Sequence, residues 1–253
     1  MNQSMMLCLL LVSFCCWGMV HSSAAYGEEK PTNQKEENLD VTIKVQMKYL
    51  LTLPKNYEKQ EKWPLVLFLH GAGERGDNLD LVKIHGPPML VSKGENFPFI
   101  LVSPQCRENV WWQSVELTAL LDEIEKKYHV DKDRIYVTGL SMGGFGSWAL
   151  AAYTPDRFAA IVPICGGGET YKVKRFSHVP VWAFHGAKDR GVPLERSQEM
   201  VDEMIRQKGN AKLTIYPNAG HNSWTKTYDN PKLYEWLLQQ KRHPRNKETK
   251  EKK

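Results

Sequence analysis

The stretch VTGLSMGGFGSWALAA, residues 137–152, places Ser141 among four glycines at the joint between two hydrophobic patterns. Residues 135–137, just before the glycines, favour a strand because β-branched and aromatic side chains suit a pleated sheet. Residues 147–152 favour a helix. Glycine loses more backbone freedom on folding than any other residue, so four of them here need a structural reason. A sharp turn that brings the strand and helix backbones into contact would supply it.

Gly139 to Gly143 match the pattern G-x-S-x-G, which projects a nucleophilic serine from a strand-to-helix turn at the top of a parallel sheet. Such a short pattern also matches by chance, and the alternative is a glycine-rich turn that merely packs a helix. The strand before Ser141 and the helix after it favour the nucleophile. Gly144 and Gly146 would let that helix lie close against the sheet.

Short, continuous apolar runs recur along the chain and predict strands that are buried on both faces. They are Leu65–Leu69, Phe99–Val102, Ile135–Thr138, Ala160–Ile164, Val181–Phe184 and Leu213–Tyr216. Amphipathic helical patterns lie between several of them: Leu117–Tyr128 with Ser114 as its N-cap, a helix from Leu194 that Gly209 closes, and Leu233–Leu237. This alternation predicts an α/β fold with a mostly parallel central sheet and helices on both faces.

A different pattern precedes these runs. Apolar residues occupy every second position from Val41 to Leu53, and Pro54 follows. A period of two predicts either one long or bent strand, or two strands with a turn between them.

The first 25 residues contain no Asp, Glu, Lys or Arg, and Met5 to Val20 are almost wholly apolar. With the small residues that end at Ala25, they predict a cleaved signal peptide, residues 1–25, and a secreted or periplasmic protein. An uncleaved anchor and a lipoprotein signal are the alternatives, although the apolar run is short for a membrane span of ~20 residues. No other stretch is apolar enough to span, so no stable membrane association is expected.

The remaining chain divides into a linker, residues 26–39, a catalytic domain, residues 40–240, and a basic disordered tail, residues 241–253. The tail holds seven Lys or Arg and two Glu, which account for the whole formal charge of +5. Since the body of the chain is then neutral and shows no basic face, no nucleic-acid partner is expected.

Signal cleavage would leave two cysteines, Cys106 and Cys165. An exported protein can pair them, but two free buried thiols are an equal alternative, because sequence does not supply the geometry. Neither an H-E-x-x-H motif nor a closely spaced Cys/His set is present, so no metal and no cofactor are expected.

A serine nucleophile needs a base, and the base needs a residue to orient it. YPNAGHNSW, residues 216–224, places His221 in a loop after the last predicted strand, and FHGAKDRGVP, residues 184–193, places Asp189 after the preceding one. The chain order of serine, acid and histidine is that of the α/β-hydrolase triad. His70 and His185 each precede a glycine at a strand end, and we interpret both as packing or hydrogen-bonding residues.

The tetrahedral intermediate of ester cleavage also needs hydrogen-bond donors for its oxyanion. The expected donors are the backbone N–H groups of Met142, directly after the nucleophile, and of Ala72 in the loop HGAGERGDN, residues 70–78.

Five stretches together resemble the secreted esterases of the α/β-hydrolase superfamily that are often labelled predicted peptidases. They are PLVLFLHGAGERGDN, RIYVTGLSMGGFGSWALAA, PICGGG, VWAFHGAKDRGVP and GHNSWTKTY. The chain is also similar to polyhydroxybutyrate-depolymerase-like and feruloyl-esterase-like enzymes, over residues 40–240. The resemblance implies an α/β-hydrolase fold and carboxylic ester hydrolysis, with Ser141, Asp189 and His221 as the triad and Ala72 and Met142 as oxyanion donors.

Lipase-like members of the superfamily often carry a lid in a connection that here, at residues 166–179, has 14 residues. No lid domain fits there, so an open site is expected, with residues 72–98 forming one wall. Trp112 and Trp224, with Trp111, lie in loops on the catalytic side, where they could stack on a sugar or phenolic ring or simply pack at the rim of the core.

These features predict a secreted serine carboxylesterase that acts through an acyl-enzyme on short-chain esters or on phenolic or acetyl esters of the plant cell wall. Its expected partner is a small-molecule or polysaccharide-linked ester, and the sequence does not indicate an oligomeric state. The alternatives are a serine peptidase or amidase of the same fold and a catalytically silent binding protein.

Overall fold

The computed structural model describes residues 34–242. The chain divides into two units, one that ends at Ile43 and one that begins at Lys44. Residues 34–43 are exposed and contain no helix or strand. The predicted signal peptide, residues 1–25, and residues 243–253 of the predicted tail lie outside the described residues.

The second unit contains a seven-stranded sheet whose strands are β1 (Tyr49–Thr52), β2 (Trp63–Leu69), β3 (Ile100–Pro104), β4 (Val130–Leu140), β5 (Ala160–Ile164), β6 (Val181–Gly186) and β7 (Ala211–Tyr216). Their order across the sheet is β1-β3-β2-β4-β5-β6-β7. All neighbours run parallel except β1, which is antiparallel to β3. The predicted mostly parallel sheet is therefore confirmed.

Among the described residues, six α-helices accompany the sheet: α1 (Gly86–Ser92), α2 (Ser114–Lys127), α3 (Met142–Tyr153), α4 (Glu195–Arg206), α5 (Trp224–Tyr228) and α6 (Pro231–Gln239). Successive residues of β2 belong to two different apolar clusters, as a pleated strand requires. Leu65, Leu67 and Leu69 join the cluster that packs on α2, α3 and α4. Val66 and Phe68 join the cluster that includes buried residues of α5 and α6. Helices thus cover both faces, as predicted.

The strand predicted from Val41 to Leu53 was wrong over most of its length. Only Tyr49–Thr52 form a strand, and they pair with Leu101–Pro104 of β3. The pairing extends one residue further, because the Lys48 carbonyl accepts the Gln105 N–H at 2.9 Å, but residues 41–48 contain no strand. An alternating pattern becomes a strand only where a neighbouring backbone is present to pair with it.

Two helix boundaries also differ from the predictions. Ser114 is the first residue of α2, not its N-cap, which is Gln113. After α4 the left-handed residue is Lys208, with φ 60°, whereas Gly209 follows it and donates its N–H to the Met204 carbonyl at 2.8 Å. A Cβ on Gly209 would lie 2.5 Å from the Ser177 carbonyl oxygen. This glycine is therefore needed for space, not for a positive φ.

The connection predicted to form a wall and the connection judged too short for a lid both contain only short helical segments. The predicted wall, residues 72–98, holds two single 3-10 turns and α1, while residues 166–179 hold one 3-10 segment, Thr170–Arg175. Within residues 34–242, no helix has the length and apolar character needed to cross a bilayer.

Candidate active site

The turn at Ser141 joins β4 to α3 in a backbone conformation that L-residues rarely adopt. Ser141 has φ 51° and ψ −117°. The neighbouring glycines serve a different purpose, because a Cβ on Gly143 would overlap the Leu69 carbonyl and one on Gly144 would overlap the Ile164 carbonyl. The serine itself therefore carries the unusual dihedral angles, and the glycines let α3 lie directly on the ends of β2 and β5.

Ser141, His221 and Asp189 form a continuous hydrogen-bonded chain. The Oγ of Ser141 lies 2.9 Å from Nε2 of His221. Nδ1 of His221 lies 2.8 Å from Oδ2 of Asp189. The His221 side chain is 32% exposed, while that of Asp189 is fully buried. The three residues that were predicted from separate loops are thus brought together in the order that proton transfer requires.

Glycines let the two loops that carry the acid and the base meet. A Cβ on Gly186, at the end of β6, would overlap the Gly220 carbonyl in the loop after β7. A Cβ on Gly191 would lie 3.3 Å from Cγ of His221. Close contact between these loops places Asp189 against the imidazole of His221.

Asp189 is held as a carboxylate. Burial opposes its ionisation, but hydrogen bonds from His221 and from the Val192 and Gly191 amides outweigh burial and lower its pKa below the ordinary value. Its Oδ1 accepts the N–H groups of Gly191 at 2.8 Å and Val192 at 2.9 Å. An ionised Asp189 favours the tautomer in which Nδ1 of His221 carries the hydrogen, which leaves Nε2 free to accept a proton.

The two predicted oxyanion donors each begin a helix. Ala72 is the first residue of the 3-10 turn Ala72–Glu74, and Met142 is the first residue of α3. The first N–H groups of a helix have no partner within it, so both are available to an anion. A Cβ on Gly71 would lie 3.7 Å from Cβ of Ser141, so the Ala72 loop passes beside the serine.

Hydrogen bonds made by buried side chains hold the Ala72 loop in place. Nε2 of His70 accepts the N–H of Cys106 at 3.0 Å, so Nδ1 carries the hydrogen and donates to the Gly71 carbonyl at 2.6 Å. Burial lowers the pKa of His70 to about 4 and keeps it neutral. The prediction that His70 is a hydrogen-bonding residue is confirmed. The carboxylate of Glu74 also accepts the N–H of Gly71 at 2.8 Å.

The three tryptophans that the sequence analysis placed in loops on the catalytic side differ in their exposure and contacts. Trp112 is only 7% exposed, and its indole N–H donates to the His70 carbonyl at 3.1 Å. The predicted substrate contact by Trp112 was therefore wrong, because the side chain supports the loop from inside. Trp224 stands edge-on to the His221 ring with 5.3 Å between centroids. Trp111 is 56% exposed.

Two residues near the site were missed in the sequence. Oε1 of Glu74, which is only 8% exposed, lies 3.8 Å from Nε2 of His85. The centroid of the His85 ring is 5.3 Å from that of the Trp224 ring, and the centroid of the His221 ring is also 5.3 Å from that of Trp224. Glu74 was visible within the motif at residues 70–78, and His85 within the predicted wall, but their proximity depends on the path of that wall.

A groove of about 280 Å³ runs along α3 from a point one helical turn after Ser141. Trp111 and Phe145 stand edge-on to each other in its lining, with their centroids 5.8 Å apart. Its other apolar lining residues include Trp148, Ala149, Ala152, Phe176 and Met200. Ser141 and His221 do not line this groove, which presents an aromatic surface further along α3.

Cys165 lies directly beneath the serine. Its Sγ is 3.3 Å from the backbone nitrogen of Ser141. Burial raises the pKa of this thiol to about 12, and both Cys165 and Cys106 are free. The ligand atoms of Cys165, Asp189 and His221 lie within 4.8 Å of one another. A cation there would have to displace the bonds that the His221 ring nitrogens already make.

Comparison with known proteins agrees with this architecture. The model of the dienelactone hydrolase family matches residues 101–251. Probable feruloyl esterase C of Aspergillus niger is 23% identical over 186 residues, which cover 71% of this chain and 68% of that protein. Poly(3-hydroxyalkanoate) depolymerase C of Paucimonas lemoignei is 38% identical over 55 residues, or 22% of this chain and 13% of that protein.

A solved structure of a thermostable esterase superimposes with a TM-score of 0.67 and 36% sequence identity, covering 77% of this chain. This chain spans 59% of that protein's length. The resemblance to feruloyl-esterase-like and depolymerase-like enzymes is confirmed, as is the α/β-hydrolase fold. The chain belongs to the dienelactone hydrolase family, and it is a hydrolase of the esterase type.

Proposed function

We propose that this chain is a serine carboxylesterase in which Ser141 is the nucleophile. The observation that carries the proposal is the unbroken chain of hydrogen bonds from Ser141 through His221 to Asp189 at the carboxyl edge of the parallel sheet. Ligand sites in sheets of this kind form at that edge.

The reaction would proceed through an acyl-enzyme. Nε2 of His221 accepts the proton of Ser141 as Oγ attacks the ester carbonyl carbon, and Asp189 stabilises the resulting imidazolium. His221 then gives that proton to the oxygen of the leaving alcohol. In the second half, His221 accepts a proton from water as the water oxygen attacks the acyl carbon. His221 then returns that proton to Oγ of Ser141 as the bond between Oγ and the acyl carbon breaks, which releases the acid and free Ser141.

The oxyanion of each tetrahedral intermediate would be held by the N–H groups of Ala72 and Met142. Donors that already point at the developing charge need no reorganisation, and each is typically worth a factor of 10²–10³ in kcat. The buried hydrogen bonds of His70 and Glu74 hold the Ala72 loop in place for this purpose.

For the substrate, we propose short-chain esters or the phenolic and acetyl esters of plant cell walls. The connection at residues 166–179 contains only a 3-10 segment and no lid domain, which is compatible with an ester attached to a polymer. The exposed Trp111 and the groove beside α3 provide aromatic surface for a phenolic ring. We also propose that the protein is secreted, because its first 25 residues have the composition of a signal peptide.

The test compares the wild type with Ser141→Ala on 4-nitrophenyl esters from acetate to decanoate and on methyl ferulate. We expect wild-type turnover that favours short acyl chains, and a loss of ~10⁴-fold or more in kcat for S141A, because no other group replaces the nucleophile. Ser147→Ala removes a hydroxyl from the same helix and serves as the matched control, with activity retained.

An S141A enzyme with wild-type turnover would rule out Ser141 as the nucleophile. Faster hydrolysis of 4-nitroacetanilide than of 4-nitrophenyl acetate would favour the peptidase or amidase alternative. A folded wild type without activity on either class would favour the binding protein.

A further inference from the structure

His185 is a buried histidine that the proposed proton transfers do not use. It lies in β6, four residues before Asp189, and is fully buried. Nδ1 of its ring is 2.7 Å from the hydroxyl of Ser197 in α4. Nε2 is 2.9 Å from the Val192 carbonyl oxygen and 3.2 Å from Oδ2 of Asp189. The ring therefore connects the acid of the triad to a helix.

The neighbours of Nε2 decide where this imidazole carries its hydrogen. A carbonyl oxygen and an ionised carboxylate can only accept hydrogen bonds. A bare nitrogen between them would leave three buried acceptors facing one another, so Nε2 carries a hydrogen. Nδ1 faces Ser197, whose hydroxyl is also 2.7 Å from the Gly166 carbonyl and can donate to either partner. With the hydrogen on Nε2, the lone pair of Nδ1 must accept, so the hydroxyl of Ser197 donates to Nδ1 and not to Gly166.

The Val192 carbonyl takes the shorter contact of this N–H at 2.9 Å and Oδ2 of Asp189 shares it at 3.2 Å, so His185 is the fourth and most distant donor to Asp189. Oδ1 accepts the N–H groups of Gly191 and Val192, and Oδ2 accepts Nδ1–H of His221. Because the Asp189 side chain is fully buried, protein donors, not bulk water, must solvate its charge. His185 is the donor that shares Oδ2 with the catalytic base.

We propose that His185 is a positioning residue that donates from Nε2 to Asp189 and thereby limits the negative charge that Asp189 presents to His221. Every hydrogen bond on a carboxylate disperses its charge. With His185 in place, the carboxylate stabilises the positive charge of a protonated His221 less. The inference rests on the proposed function, since it concerns the same triad.

Few other charges act on this pair. Lys188 and Arg190 flank Asp189 in the chain, but both side chains are exposed to water, which screens them. The Cys165 thiol lies within 4.8 Å of His221 and Asp189 and stays protonated, because burial raises its pKa to about 12. Removing the His185 donor is therefore the direct way to change the charge on Oδ2.

The experiment uses two substitutions whose side-chain amide nitrogens replace different ring nitrogens of His185. In His185→Gln the amide nitrogen reaches the position of Nε2, whereas in His185→Asn it reaches only that of Nδ1. We expect the acid limb of the kcat/KM profile on 4-nitrophenyl acetate to move to higher pH in H185N by up to about one unit, because only part of the effect of one hydrogen bond to the Asp189 carboxylate is passed on to His221. In H185Q and in Ser197→Ala the limb should stay at its wild-type position.

A structural role alone would lower the melting temperature of H185N without moving the limb, and that result would overturn the proposal. An equal shift in S197A would also overturn it, because the effect would then not depend on the Nε2 donor. Nitrogen-15 spectra of the wild type, with His185 assigned by comparison with H185Q, provide a readout that needs neither activity nor a folded H185N. A non-protonated Nε2 of His185 would refute the proposal even if no ester were hydrolysed.

Discussion

His70 and His185 hold the two halves of the site in opposite ways. Each lies at the carboxyl end of a strand, precedes a glycine and is almost wholly buried. Nε2 of His70 accepts a backbone N–H from Cys106, whereas Nε2 of His185 faces a carbonyl and a carboxylate. The same dipeptide places both imidazoles similarly, but the loops that arrive from elsewhere decide which nitrogen carries the hydrogen. We call the part around His70 and Ala72 the oxyanion half, and the part around His185, Asp189 and His221 the acid–base half.

The largest expected effect is a loss of stability, caused by a substitution where α3 contacts the oxyanion half. Gly143→Ala should destabilise the fold by about 3–5 kcal/mol, because its Cβ would overlap the Leu69 carbonyl and the backbones would have to separate. Chemical denaturation of G143A measures this change. A Cβ on Gly73 would meet nothing within 4 Å, so Gly73→Ala is the matched control and should stay within about 0.5 kcal/mol of the wild type. Equal stability of the two variants would refute the close-contact explanation.

The neutral state of His70 predicts a pH dependence that belongs to the oxyanion half. Burial lowers its pKa from 6.5 to about 4, so between these values the unfolded chain binds more protons than the native one. The His70 contribution is therefore complete above pH 6.5 and falls as pH drops towards 4, by about 3 kcal/mol in all.

Denaturation curves at pH 7, 5.5 and 4.5 for the wild type and for His70→Gln measure this contribution. The free energy of unfolding should fall more steeply with acid in the wild type than in H70Q, while the acid limb of the activity profile should keep its position in H70Q. Parallel stability curves would show that His70 does not titrate in the expected range. A shifted limb would show that the two halves are not independent.

The smallest expected effects separate Trp112 from Trp224. Trp112→Phe removes the indole donor to the His70 carbonyl and should cost about 1 kcal/mol of stability, with KM unchanged. The buried indole N–H of Trp224 has no partner among the described residues. Trp224→Phe should therefore cost less than about 0.5 kcal/mol and act on the KM for methyl ferulate instead. A KM change in W112F alone would contradict the supporting role of Trp112.

Much of the site could be predicted from the sequence, because its reactive residues follow short strands in recognisable loops. Ser141, Asp189 and His221 each follow a continuous apolar run, and the carboxyl ends of parallel strands share one edge of a sheet. The strand from Val41 could not be placed, since its pairing depends on which backbone lies beside it. The contact of Glu74 with His85, and the burial of Trp112, depend on how separate loops pack, which local patterns do not encode.

The two buried thiols give each half of the site its own reporter of local opening. Cys106 donates its backbone N–H to His70 beneath the oxyanion half, and Cys165 lies under Ser141, within 4.8 Å of the acid–base pair. Because a thiol reagent reacts only after the surrounding structure opens, the labelling rate of each cysteine measures the free energy of a subglobal fluctuation. One labelling time course can thus rank the two halves by the free energy of their local opening, without any substrate.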